Sequence, residues 1–179
     1  LLRQSHGGRD LAPDMVAAIH RATGGHPRYL LDVKELVAHT PPAQLRARID
    51  ALPAGMEAHV RALADAASPD ELRIAAAVGY AGGVLPLPLA VEALGIAPDA
   101  VRECCAHSRI LALREDRVEL RWRPAADVCI ARAAGETEAL LLGLAGTFET
   151  HGMPAAAARF YAQAGHADAI RPAMRCAES

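Results

Sequence analysis

The sequence predicts a mainly α-helical protein with one small β-hairpin. Of its 179 residues 52% are hydrophobic but only 3% are aromatic, so the core must consist of Ala, Leu, Val and Ile. Apolar residues recur at helical spacing along most of the chain, whereas the last strand of the hairpin alternates apolar and charged residues. In chain order, we expect a helical segment, a winged-helix domain and TPR-like antiparallel helical pairs.

The first third of the chain predicts two helices, at residues 13–22 and 27–40, joined by a tight turn. Gly24 and Gly25 in that turn tolerate backbone angles that other residues resist, and Pro27 presets the angle of the next helix. Two further amphipathic helices, at residues 42–52 and 56–67, lie on either side of a Pro-Ala-Gly linker. This part of the chain is therefore helical throughout.

The next helix has a clear start signal. The Ser68 side chain can accept the backbone N–H of Glu71 while Glu71 reaches back to residue 68, and Pro69 lies where no donor is needed. The helix should cover residues 69–78 and stop at Gly79 and the following Gly-Gly pair. A short edge strand at 84–87 and helices at 88–94 and 98–108 should follow.

Residues 109–123 predict the hairpin, or wing. We expect strands at 110–113 and 118–123, joined by a charged link at 114–117. Trp122 lies on the apolar face of the second strand and should belong to the core. Three helices followed by a two-stranded hairpin, in this order, make residues 53–124 a winged-helix domain.

Helices are predicted beyond the wing at residues 125–134, 137–151, 154–164 and 167–176. The helical pair 137–164 followed by half of another indicates the start of a solenoid, and such arrays need about three repeats to be stable. We therefore expect the chain to be a piece of a longer protein.

Global features favour no membrane partner and a cytoplasmic protein. No apolar run approaches the roughly 18 residues that span a bilayer, and the first residues do not resemble a signal peptide. Paired C-x-x-C spacing is absent, so we expect no metal site and reduced, buried thiols. The histidines lack ligand spacing and should be surface or cap residues; they are His6, His20, His26, His39, His59, His107, His151 and His166.

No motif for catalysis is present. The only lysine, Lys34, does not belong to a G-x-x-x-x-G-K-[ST] loop, and neither G-x-S-x-G nor H-E-x-x-H occurs. We predict that the chain is not an enzyme and has no catalytic residue.

A DNA-binding winged helix is an alternative. Net charge is −2 with a pI near 6.5, the helix at 98–108 carries one Arg against two acids, and residues 109–123 carry five Arg against three. This charge is weak for a surface that must meet a phosphate backbone, so direct DNA contact is disfavoured. If DNA were bound, charge reversal at Arg117 and Arg121 should abolish binding. A helical protein-interaction scaffold is a third interpretation.

Four segments, in this order, resemble the middle of STAND-class ATPase regulators, in particular MalT-like LuxR-family transcriptional activators. They are ATGGHPRYLLDVKELV (22–37), LPAGMEAHVRAL (52–63), ELRWRPAADVCIARA (119–133) and ETHGMPAAAARFYAQAGHADAI (149–170). The resemblance covers nearly the whole chain and rests on the order of the segments.

The resemblance implies three regions and a regulatory role. Residues 1–52 would be the helical lid and linker of an upstream nucleotide-binding domain, 53–124 the winged helix, and 125–179 the start of a TPR-like superhelix. The chain would be the non-catalytic regulatory arm of a signal-responsive NTPase in transcription regulation. It would bind no cofactor alone, with ATP or ADP held in the parent protein. Its partners would be that upstream domain and downstream helical and DNA-binding domains.

The resemblance also implies nucleotide contacts. Gly25, His26 and Pro27 match a G-x-P turn whose proline packs near the adenine, although a plain helix–helix turn would have the same sequence. Arg123, before Pro124, stands where the family often has a phosphate-sensing histidine. Arginine is permanently charged and can grip phosphate in a fork, but it does not titrate as histidine does. A solvent-exposed strand-end arginine is the other interpretation of this position.

Overall fold

The computed structural model describes residues 11–166, which contain ten α-helices, one 3₁₀ turn (Ala134–Glu136) and a three-stranded sheet. The helices are α1 Pro13–Thr23, α2 Pro27–His39, α3 Pro42–Asp50, α4 Gly55–Ala66, α5 Pro69–Tyr80, α6 Leu87–Leu94, α7 Pro98–His107, α8 Ala125–Arg132, α9 Thr137–Thr150 and α10 Pro154–Gln163. The strands are β1 Val84–Pro86, β2 Leu111–Arg114 and β3 Arg117–Leu120. The mainly α fold with a small hairpin is confirmed, and within the described residues each predicted helix agrees with the observed one to within two residues at either end.

The chain forms two compact units, which divide between Ala62 and Leu63. In the first unit α1 packs against α2 and α3. Its core consists of side chains that are almost fully buried, and these include Ile19, Tyr29, Val33, Val37 and Ile49. The three predicted regions, with limits at residues 52 and 124, stay a prediction.

The second unit begins with the element order of a winged helix: α5, β1, α6, α7, β2 and β3. The sheet order is β1-β3-β2, all antiparallel, with Leu85 opposite Val118 and Leu111 opposite Leu120. Trp122 is only 4% exposed, which confirms its predicted place in the core. The edge strand β1 connects the hairpin to the helices, because β1 pairs with β3 and leads directly into α6.

The predicted four-residue link of the hairpin is wrong. Arg114 and Arg117 are opposite each other in the strands, and only Glu115 and Asp116 form the turn. Both turn residues have positive φ, 48° and 59°. A two-residue turn of this kind matches the right-handed twist of the strands, and Asp tolerates the left-handed region better than most residues. Arg114 and Arg117 therefore belong to the strands although they are charged, because the pairing register of β2 with β3 includes them.

Two details of α5 also differ from the prediction. Gly79 does not stop the helix, since it lies where α5 contacts α8; a Cβ there would be 3.3 Å from side-chain atoms of Ala126 and Ile130. Ser68 does accept the Glu71 N–H, at 3.1 Å. The Glu71 carboxylate, however, does not complete the capping box and instead accepts a hydrogen bond from Ser108 after α7. Tertiary contacts thus replace both local signals.

Beyond the sheet, α9 packs against α6 and forms an antiparallel pair with α10. The predicted helix at 167–176 lies outside the described residues. Among the helices at 11–166, none is long and apolar enough to cross a membrane.

The backbone of α9 comes close to that of α6 at Gly143. A Cβ on Gly143 would lie 2.3 Å from the carbonyl oxygen of Ala93, whereas Gly146, one turn later on α9, has open space around it. Because backbone atoms cannot rotate away, Gly143→Ala should lower the free energy of unfolding by about 1–3 kcal/mol. Chemical denaturation followed by circular dichroism measures this.

Gly146→Ala is the matched control for this prediction. It has the same helical environment without the close neighbour, and should raise the free energy of unfolding by up to about 1 kcal/mol through helix propensity. Equal effects of the two substitutions would show that the α6–α9 approach is not as close as described.

Candidate functional site

The turn between α1 and α2 has a defined hydrogen-bonded structure. The Thr23 hydroxyl donates to the Ile19 carbonyl at 2.8 Å and accepts from the Gly25 N–H at 3.3 Å. Gly24 and Gly25 have φ of 55° and 73°, which lies in the left-handed region that favours glycine. The predicted reason for the two glycines is confirmed.

The turn presents an exposed surface. His26 and Pro27 are exposed and Gly25 is half-buried, while Thr23 beneath them is buried. Pro27 is the first residue of α2, where its missing N–H costs no hydrogen bond. The turn is thus rigid through its backbone and still accessible to a neighbouring molecule.

Two side chains in the first two turns of α2 anchor it to the chain around α4. The Tyr29 hydroxyl donates to the Pro53 carbonyl at 2.8 Å, and its ring stacks on His59, with centroids 3.9 Å apart. His59 Nε2 donates to Asp32 Oδ2 at 3.0 Å. Because Tyr29 is two residues after Pro27, these contacts fix the direction in which α2 leaves the turn.

The Asp32–His59 pair was not found from the sequence, and for His59 the prediction of a surface or cap residue is wrong. His59 is 5% exposed and Asp32 6% exposed. A carboxylate is rarely buried without a partner, so the imidazole accounts for its position. The two residues are 27 apart in sequence, and the only local signal was one acid on an otherwise apolar face of α2.

Arg123 lies three residues after β3, immediately before Pro124 at the start of α8. Its side chain is exposed, and within residues 11–166 no hydrogen bond or ion pair involves its guanidinium. Its backbone carbonyl accepts the Ala126 N–H at 3.1 Å, which begins the turn into α8. The position therefore offers a permanent positive charge on a fixed backbone.

The three predicted contact residues fall in different parts of the chain. Gly25 and Pro27 belong to one turn in the first unit, and Arg123 belongs to the second unit. Their predicted nucleotide contacts stay a prediction. Among the described residues, no group of three or more His, Cys, Asp or Glu side chains could hold a metal ion.

The described cysteines are poor nucleophiles. Cys105 and Cys129 are buried and Cys104 is half-buried, all as free thiols, while Cys176 lies outside the described residues. Burial, and then the negative charge of Glu71, raises the pKa of Cys104 and of Cys129 to about 11. Very little thiolate is therefore present near neutral pH.

Comparison of the chain with protein-family models, with curated proteins and with solved structures gave no match.

Loss of the buried acid should destabilise the first unit. Asp32→Ala leaves the buried His59 imidazole without its carboxylate partner and should cost about 2–4 kcal/mol of unfolding free energy. Arg61→Ala, on the same helix as His59, removes the exposed pair with Glu57 and should cost less than about 0.5 kcal/mol. Urea unfolding of both variants checks the difference, and similar costs would contradict the buried pair.

Thiol reactivity should follow the raised pKa values. With a folded pKa about two units above the ordinary 9.0, Cys104 and Cys129 should be alkylated by iodoacetamide at pH 8 about a hundredfold more slowly than in urea. The folded protein holds these protons more tightly, so their stabilising effect is complete below pH 9 and is lost between pH 9 and 11. Site-resolved mass spectrometry gives the rates, and equal rates in buffer and urea would refute the assignment.

Proposed function

We propose that the chain is the non-catalytic regulatory arm of a signal-responsive NTPase of the STAND class, related to MalT-like LuxR-family transcriptional activators. The observation that carries this proposal is the order of parts: an exposed glycine turn on an anchored helix, then a winged helix that ends in an exposed arginine, then an antiparallel helical pair. Each part is common by itself, and their sequence along one chain is what supports the assignment.

The turn is suited to meet a nucleotide held by a neighbouring domain. Pro27 presents an apolar ring of fixed geometry, and the anchored Tyr29 keeps α2 from moving when contact is made. The two glycines leave space next to the backbone, since a Cβ on Gly25 would meet only the His20 ring, at 3.7 Å. An adenine ring could therefore lie against the turn without rearrangement of the first unit.

Arg123 supplies the complementary contact. A guanidinium can bind two phosphate oxygens at once, and this one has no competing carboxylate among the described residues. In the resting state Pro27 and Arg123 would both contact the nucleotide. A ligand shifts the equilibrium between two domain arrangements only through contacts that differ between them. Nucleotide exchange or effector binding would therefore change which position of the regulatory arm, relative to the nucleotide-binding domain, is favoured.

The remaining assignments follow from this role. The arm alone binds no cofactor, and ATP or ADP belongs to an upstream nucleotide-binding domain. Partners are that domain and downstream helical and DNA-binding domains, in the cytoplasm. The helical pair α9–α10 would continue into the superhelix that receives the signal.

The test uses the longer polypeptide that includes the upstream nucleotide-binding domain. Pro27→Ala and Arg123→Ala should each weaken ADP binding about tenfold, because each removes one direct contact. Isothermal titration calorimetry gives the dissociation constants. By contrast, the 179-residue chain alone should hydrolyse no ATP or GTP above buffer.

Matched controls separate contact from folding. Pro13→Ala removes a proline from the same position of α1, and Arg109→Ala removes an exposed arginine near the start of β2. Both should leave ADP binding unchanged. If Pro27→Ala and Arg123→Ala also leave it unchanged, the chain is a protein-interaction scaffold and the proposal is refuted.

A further inference from the structure

An open groove runs between α7 and the β-hairpin of the second unit. Its volume is about 400 Å³, which is in the range of small-molecule sites. Three arginines line it: Arg102 from α7, Arg114 from β2 and Arg121 just after β3. None of its lining residues, all within the described part of the chain, is acidic.

Arg121 is held in place by the sheet. Its Nε donates to the Leu111 carbonyl at 2.6 Å, and its backbone N–H donates to the Ile110 carbonyl at 2.8 Å. The bond from Nε leaves the two terminal nitrogens of the guanidinium for a ligand. Since the side chain is already ordered, less conformational entropy is lost when a ligand binds.

The other two arginines differ in their present partners. Arg114 ends β2 and, among residues 11–166, has no carboxylate within ion-pair distance. Arg102 Nη1 contacts Asp99 Oδ1 at 3.0 Å, but the aspartate side chain is 96% exposed and the arginine 48% exposed. An exposed pair of this kind is weak, so an anion of higher charge can displace Asp99.

The hairpin side of the groove is rigid. The Leu87 N–H donates to the Asp116 carbonyl at 2.7 Å, which ties the tip of the hairpin to the start of α6. Pairing of β1 with β3 holds the opposite edge. The hairpin wall of the groove is therefore fixed by the fold before any ligand arrives.

Apolar side chains form the floor of the groove. Cys105 and Ala106 come from α7, and Ala112 and Leu113 from β2. Cys105 and Ala112 are buried. A floor of this kind accepts the carbon part of a ligand while the arginines take its charge.

From this arrangement we infer that the α7–hairpin groove binds a small phosphate ester, with the phosphate between Arg114, Arg121 and Arg102 and the organic part on the apolar floor. Three guanidinium groups around one groove suit the several oxygens and the double negative charge of a phosphate monoester better than the single charge of a carboxylate ligand. The site is independent of the proposed nucleotide contacts, which use Pro27 and Arg123.

The charge distribution favours a small ligand over nucleic acid. A duplex requires an extended basic surface, whereas Glu115 and Asp116 occupy the tip of the hairpin and Asp99 and Glu103 lie on α7. The arginines of the groove thus have acidic residues on both elements that form it. These exposed carboxylates would repel the phosphate backbone of a nucleic acid.

The probe for the test is glucose 6-phosphate, with inorganic phosphate as a second probe, titrated into the full chain at constant ionic strength. We expect binding by calorimetry, with the sugar phosphate tighter than phosphate alone, because only the ester uses the apolar floor. Arg114→Ala should weaken binding about fivefold to tenfold, and Arg121→Ala at least as much.

Arg117→Ala is the matched control. Arg117 lies directly opposite Arg114 in the hairpin and does not line the groove, so this variant loses the same charge at the same level of the sheet. Its binding should change by less than about twofold. Equal weakening by Arg114→Ala and Arg117→Ala would mean diffuse surface charge and would overturn the site.

Two further measurements distinguish a phosphate-ester site from a nucleic-acid surface. Asp99→Asn frees Arg102 and should tighten binding about twofold or more, the size of a weak exposed ion pair. A 12-nucleotide duplex should not bind measurably at physiological salt. The inference is overturned if either probe fails to bind, or if Asp99→Asn does not tighten binding. It is also overturned if the duplex binds and that binding weakens steeply with added salt and in the Arg117→Ala variant. Circular dichroism confirms that each variant is folded.

Discussion

The central position of β3 is the constraint on which the second unit depends. This four-residue strand pairs with β1 on one edge and β2 on the other, so its register determines where every residue of the wing lies. Val118 on its inner face is fully buried opposite Leu85 and Leu113. A shift of one residue would expose Val118 and bury its charged neighbours, which is why so short a strand has one register.

Ser108 provides the polar link between this sheet and the helices. Its hydroxyl donates to the Glu71 carboxylate and accepts the backbone N–H groups of Ile110 and Leu111, at 2.9 and 2.7 Å. One side chain thus satisfies buried donors at the start of β2 and joins them to the first turn of α5. Buried backbone groups without such partners would be costly, so the end of α7 and the start of the hairpin form one structural element.

Much of the fold was predictable from local pattern, because proline and glycine mark most helix ends here. Helices α1, α2, α3, α5, α7 and α10 all begin with proline as their first residue, and each of those starts was predicted. The errors arose where contacts distant in sequence decide. Gly79 is a packing glycine against α8, Glu71 bonds to Ser108, and Arg114 and Arg117 belong to strands because the register requires it. No periodicity could reveal these three facts.

The same distinction applies to the sites. The glycine turn was predictable because a Gly-Gly-x-Pro sequence has few alternative conformations. The Asp32–His59 pair and the arginine groove were not, since each joins residues from different elements.

Trp122 connects the two proposals without making them dependent on each other. Arg121 lines the groove and Arg123 is exposed at the end of the sheet, and the buried Trp122 between them donates its indole N–H to the Arg109 carbonyl at 3.3 Å. The indole therefore fixes the backbone from which both arginines project. Because Trp122 and not either arginine holds this backbone, removing one guanidinium leaves the position of the other intact. Loss of phosphate-ester binding through Arg121 would leave the role of Arg123 standing, and the reverse holds equally.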